Sequence, residues 1–203
     1  MSTAAVEGSS RRVAFADGRN RVDTGPGPSV VLITGVMAAG KSTVAQLLAE
    51  RLPRAAHVRG DLFRRMLVSG REELMPGETA EARAQLELRY RLSALVADEY
   101  VRDGWTAVIQ DIVLGEDLTR YVARVRARPL YVVVLAPSTA AVRDREAARP
   151  KTGYGAWTVE ALDRDLREGT PRIGLTLDTS RQTPQETVAA ILAGLPEARI
   201  RTD

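Results

Sequence analysis

The chain has no cysteine and a single histidine, His57. The first absence excludes disulfides, thiolate nucleophiles and cysteine-ligated metals. The second excludes histidine metal clusters and Ser-His triads, and His57 itself reads as a structural side chain. Acid–base chemistry is left to carboxylates. Aromatic residues make up only 4%, and Tyr90, Tyr100, Tyr121, Tyr131 and Tyr154 are dispersed, so no stacking platform for nucleic acid is visible. No window approaches the roughly 20 apolar residues of a membrane span. The N-terminus shows no apolar signal-peptide core, and its Glu7, Asp17 and Asp23 suit a transit peptide poorly, so a cytoplasmic location is expected. Charge of neither sign dominates: 29 Lys and Arg face 26 Asp and Glu, net +3, spread along the whole chain. That balance gives no continuous basic track, and neither a nucleic-acid nor a membrane partner is expected.

What is present fits one enzyme domain. With 203 residues, 44% of them hydrophobic, the chain can bury a proper core. Residues 1–29 are polar, lack periodicity and end in Thr24-Gly-Pro-Gly-Pro-Ser29, which predicts a flexible leader ahead of a domain spanning 30–203. From there strand and helix patterns alternate. Expected strands are Val30–Thr34, Ala55–Arg59, Trp105–Ile112, Leu130–Leu135 and Ile173–Leu177. Helices are expected from Ser42, over Asp61–Val68, Thr79–Asp103, Leu118–Ala127 and Thr139–Arg149, from Thr158, and after the Thr183/Glu186 capping box with Pro184 in the first turn. The long third helix is expected to bury Leu88, Leu92, Leu95 and Val96. Alternation of this kind predicts an α/β fold, a doubly wound parallel sheet.

The sharpest signal lies between the first strand and first helix. Gly35-Val36-Met37-Ala38-Ala39-Gly40-Lys41-Ser42-Thr43 is a complete G-x-x-x-x-G-K-[ST] phosphate-binding loop. Gly35 and Gly40 let successive backbone N–H groups turn toward phosphate oxygens at the positive end of the following helix. Lys41 would reach the β/γ-phosphates and the Ser42 hydroxyl would ligate Mg2+, so ATP with Mg2+ is expected. In open parallel sheets, ligands bind beyond the carboxyl ends of the strands, which directs attention to the residues that follow each strand. Asp61 follows the second, placed either to take a proton from an acceptor hydroxyl or to cap the next helix. Asp111 ends the third, either as a carboxylate holding Mg2+ through water or as a strand-end turn residue. Arg145 and Arg149 share one helical face beside Lys151 and the glycine-bearing Lys151–Trp157 loop. They read as a lid that places guanidinium groups against the transferred phosphoryl, or as a solvated face laced with Asp144 and Glu146.

These residues carry a resemblance. The phosphate loop, Gly60-Asp61, Ile109-Gln-Asp-Ile-Val-Leu-Gly115, Arg145-Glu146-Ala-Ala-Arg149 and Leu177-Asp-Thr-Ser180 together resemble the chloramphenicol phosphotransferase group of small P-loop kinases, over about Val30 to Leu195. The resemblance implies a five-stranded parallel sheet of the P-loop NTPase type with a helical lid, and ATP as donor. It further implies the residue at Asp61 as base, Arg145 and Arg149 near the phosphates, and Lys41 and Ser42 in the donor site. The loop interior Val36-Met37-Ala38-Ala39 is bulkier than that family's serine-rich version, and Phe63 to Tyr90 departs from its acceptor region. Polynucleotide 5′-hydroxyl kinases, gluconate kinases and zeta-type toxins share the outline, so the layout implies the chemistry more narrowly than the acceptor. The expected activity is transfer of the γ-phosphate to a hydroxyl of a small, partly apolar molecule such as an antibiotic-like metabolite. A polynucleotide 5′-hydroxyl kinase and a regulatory ATPase without acceptor are the alternatives. The acceptor is expected between Asp61 and the long helix, against Gln85, Leu86, Leu88, Arg89 and Tyr90.

Overall fold

A computed structural model describes residues 25–148 and 156–201. Five strands, β1 (Val30–Gly35), β2 (Ala55–Arg59), β3 (Thr106–Gln110), β4 (Leu130–Leu135) and β5 (Leu175–Leu177), form one parallel sheet in the order β2-β3-β1-β4-β5. The uninterrupted apolar runs of β1 and β4 are buried along their whole length, as strands covered on both faces must be. Helices α1 (Lys41–Arg51), α2 (Gly60–Arg65), α3 (Ala80–Arg102), α4 (Glu116–Arg124), α5 (Thr139–Ala147), α6 (Val159–Arg164), α7 (Pro184–Ala193) and α8 (Leu195–Ala198) complete the described chain, with a π-helical turn, Asp165–Gly169, extending α6. The α/β class and parallel sheet are therefore as expected, and β2 and β4 have the expected bounds. The capping box of α7 is also present, with Thr183 accepting from the Glu186 amide. Of the leader expected over 1–29, residues 1–24 lie outside the described residues, while the Gly27 carbonyl accepts from Thr106 Oγ1 at 2.9 Å.

One expectation about packing is corrected. Helix α3 buries Ala82, Tyr90, Ser93, Ala94 and Ala97, whereas Leu95 is 57% exposed and Leu88, Leu92 and Val96 are half-buried. Alanines let the helix axis approach the sheet closely, and the larger leucines are displaced to its flank. Polar tips are satisfied within that face. Tyr90 donates to the Ile112 carbonyl at 2.8 Å, and Ser93 Oγ shares a hydrogen with the Tyr121 hydroxyl at 2.7 Å.

The order of the strands decides where the site forms. Because β1 lies between β3 and β4, the connections on its two sides leave in opposite directions, and a crevice opens at the carboxyl ends. In register, Ile33 of β1 faces Gln110 of β3, which in turn faces Arg59 of β2. The tips of three strands thus arrive side by side.

Candidate functional site

The loop from β1 to α1 has the backbone that a phosphate cradle needs. Gly35 (φ 141) sits against the Leu135 backbone, where a side chain would collide, and Gly40 (φ 93) is left-handed. Ala38 also has positive φ, 57°, a conformation that costs an alanine about 1–2 kcal/mol and persists where the surrounding fold enforces it. The first helical bond of this region runs from the Val44 amide to the Gly40 carbonyl at 3.0 Å, so the Lys41, Ser42 and Thr43 amides precede it at the positive end of α1. Val36 and Ala39 are buried and hold the loop to the core, and Met37 packs against it. Lys41 is buried and donates through Nζ to the Val36 carbonyl at 2.7 Å.

A cavity of about 240 Å³ opens beside this loop. It brings together Lys41, Ser42, Asp61 and Asp111, the loop residues Met37 and Ala38, and Arg59, Arg65, Arg89, Gln110 and Ile112. Asp61 occupies the first turn of α2. The residue capping that helix is Arg59, without a side-chain cap bond, so Asp61 is not the N-cap. Its Oδ2 accepts from Arg65 at 2.6 Å, one helical turn on, while Oδ1 is shielded from solvent and accepts no hydrogen bond.

Asp111 lies fully buried behind the cavity. Both oxygens accept from Arg89, Oδ2 from Nε at 2.8 Å, and Oδ1 also caps the Ile112 amide at 2.7 Å. Burial pushes the Asp111 carboxyl up against the opposing pull of Arg89. The Gly60 backbone presses on this carboxylate so closely that a Cβ there would overlap it. Gly60→Ala is therefore expected to lower unfolding free energy by about 1–3 kcal/mol through overpacking, read as a shifted midpoint in urea unfolding.

Sequence reasoning passed over Gln110. Its Oε1 accepts from Ser42 Oγ at 3.2 Å, which makes it the strand-tip group facing the loop serine. The available signal was a polar residue closing an otherwise apolar strand, but the neighbouring carboxylate drew the assignment. The expected acceptor wall is also corrected. Of α3, only Arg89 lines the cavity. Gln85 instead ties the preceding loop down, accepting from the Glu72 amide and donating to the Gly70 carbonyl, and Leu86 packs on the core. Tyr90 is spent on Ile112.

Arg145 stands in a second cavity of about 290 Å³, on the other side of the loop, with Ala39, Gly40, Thr43, Thr179 and Gln182. Its guanidinium donates to the Ala39 carbonyl at 3.4 Å and the Thr179 carbonyl at 2.6 Å. Thr179 Oγ1 is buried there without a partner. Arg149 and Lys151 of the expected lid lie outside the described residues. Among the described residues, no cluster of three or more His, Asp or Glu is placed to hold a metal, and no helix is long and apolar enough to cross a membrane.

Comparison with known proteins agrees with this fold. The model of the AAA domain family matches residues 30–170. No curated protein matches the chain. Among solved structures, a sugar kinase from Janibacter sp. HTCC2649 is similar at 20% identity, with 84% of this chain and 95% of that chain covered and a TM-score of 0.62. The tunicamycin resistance protein of Deinococcus radiodurans is 19% identical, with 86% and 99% covered and a TM-score of 0.61. The APS kinase of Mycobacterium tuberculosis, solved with AMPPNP and APS, is 21% identical, with 84% and 99% covered and a TM-score of 0.59.

Proposed function

Because the chain belongs to the AAA domain family, we propose that it is an ATP-dependent phosphotransferase that moves the γ-phosphate to a hydroxyl of a small molecule, an antibiotic-like metabolite being one member of that class. The observation that carries this reading is the juxtaposition of Lys41 and Ser42 with Asp61 across a single cavity. The sugar kinase and the APS kinase, whose fold this chain shares, support it by their names and by the AMPPNP of the latter.

The donor would occupy both cavities. Loop amides and Lys41 would take the β- and γ-phosphates, and the base would lie in the cavity of Thr43, Thr179 and Gln182. An all-oxygen donor set of Ser42 hydroxyl, Gln110 carboxamide and Asp111 carboxylate suits Mg2+, held by Ser42 and, through water, by Asp111. When bound, that ion would neutralise charge developing on the phosphate oxygens. Asp61 Oδ1, which has no hydrogen-bond donor of its own, would take the proton of the acceptor hydroxyl as that oxygen bonds to the γ-phosphorus and the bond to the ADP oxygen breaks. Arg65, held on Oδ2, would keep the carboxylate turned toward the acceptor.

Arg145 belongs to the donor side of this scheme. Held flat by two backbone carbonyls, its guanidinium would cover the nucleotide base rather than wait in the cavity of Asp61. Arg145→Ala is expected to weaken ATP binding roughly 5- to 30-fold, the equivalent of about 1–2 kcal/mol of cation–π contact, with a smaller effect on kcat. Calorimetric titration of ATP into both proteins checks this. The overall reading is tested by labelled-phosphate transfer from ATP to hydroxylated antibiotics, sugars, nucleosides and oligonucleotides. Transfer confined to oligonucleotide 5′-ends with a steep salt dependence would replace the small-molecule reading by an end kinase. ADP release indifferent to every acceptor would make the chain a regulatory ATPase.

A further inference from the structure

The cavity beside Asp61 carries more positive charge than the donor requires. Four cations line it, Lys41, Arg59, Arg65 and Arg89, against the carboxylates of Asp61 and Asp111. Three of the four have an assignment within the scheme above. Arg89 is committed to Asp111 by a two-pronged ion pair, Arg65 holds Asp61, and Lys41 stands where the phosphates would lie. Arg59 has none. It is exposed, makes no ion pair among the described residues, and lines the cavity at the tip of β2, in register with Gln110. Its position also separates it from the second cavity, where Arg145 provides the cation.

We propose, resting on the kinase reading above, that the acceptor is a compact molecule bearing an oxyanion, a carboxylate or a phosphate or sulfate ester, beside the hydroxyl that is phosphorylated, and that Arg59 grips that oxyanion. A planar guanidinium presents two parallel N–H groups, a match for two oxygens of one anionic group. Asp61 lies two residues further along the chain and lines the same cavity, so an acceptor anchored on Arg59 would lie in the cavity that also presents this carboxylate. The charge also serves the encounter itself. An anionic acceptor approaching a triphosphate is repelled, and an unmatched cation at the mouth of the cavity offsets that repulsion. A cavity of about 240 Å³, shared with the donor phosphates, suits a molecule of a few carbons with its charged group.

The test offers acceptors in matched pairs to the full-length protein with labelled ATP: hydroxy acids beside their methyl esters, and sugar phosphates beside the parent sugars. Transfer to the anionic member is expected with kcat/KM higher by about tenfold or more, and the pair that shows it distinguishes a carboxylate from a phosphate. Arg59→Gln is expected to raise the acceptor KM about 10- to 100-fold while the dissociation constant for ATP stays within about twofold, and Arg59→Lys is expected to recover part of the loss. Because Arg59 is exposed, thermal melts should show both variants folded. Equal or better transfer to the neutral members, or an acceptor KM unmoved by Arg59→Gln, overturns the proposal. So does the lack of transfer to any member by a protein that binds ATP. A wild-type protein that fails to bind ATP rejects the kinase reading instead.

Discussion

Asp61→Asn is expected to lower kcat by about 10²–10⁴-fold, the contribution of a positioned general base, with little change in the KM for ATP. The substitution is nearly isosteric, so the two functions of the carboxylate separate. An asparagine carbonyl oxygen still accepts a hydrogen bond from Arg65, as Oδ2 does at 2.6 Å, and α2 keeps its shape because Asp61 does not cap it. What disappears is an oxygen basic enough to take a proton. In the folded protein Oδ1 accepts no hydrogen bond, so its lone pairs are not committed to another group. Single-turnover measurement isolates the chemical step from product release. A near-wild-type rate there would reduce Asp61 to an anchor for Arg65.

How much of this site could be read from sequence depends on how locally each part is encoded. The phosphate loop was legible because its chemistry is a backbone conformation, and backbone conformation follows from glycine spacing between a strand and a helix. Even there, Ala38 takes positive φ at a position where sequence gives no warning. Asp61 was legible through the rule that ligands lie beyond strand tips, and the structure brings it and Lys41 into one cavity. The pairing of Asp111 with Arg89 was not, because they are 22 positions apart, with the rest of α3 and all of β3 between them. Gln110 was missed for a related reason. Which of two adjacent strand-tip side chains faces the loop is set by the register of β3 against β1, and period-2 alternation alone does not give that phase. The face of α3 was misjudged because leucines at helical spacing read as the core stripe, yet contact with a sheet favoured Ala94 and Ala97, whose small size permits closer approach. Arg145 illustrates the limit most plainly. Its helix and its spacing were visible, but its hydrogen bonds to the Ala39 and Thr179 carbonyls join residues far apart in sequence, and no local pattern encodes them.

Lys41→Ala should have the other large effect, weakening ATP binding by roughly 10²-fold, about 3 kcal/mol, and bringing phosphate transfer to background. Lys41 is the first residue of α1, buried, with its ammonium held at the Val36 carbonyl 2.7 Å away. That bond keeps the charge inside the curve of the loop, where amides preceding the first helical bond supply hydrogen-bond donors but no full positive charge. Removing the ammonium leaves the amides in place, so some phosphate affinity should survive while the stabilisation of charge in transfer is lost. The fold should not suffer in proportion. Alanine has a high helix propensity, and the apolar packing of Val44 and Leu48 in α1 is untouched. Calorimetric titration with ATP, paired with urea unfolding of both proteins, separates the two effects. An unchanged unfolding midpoint with a lost titration signal supports the donor site at Gly35–Thr43, and wild-type binding no tighter than that of the variant sinks it.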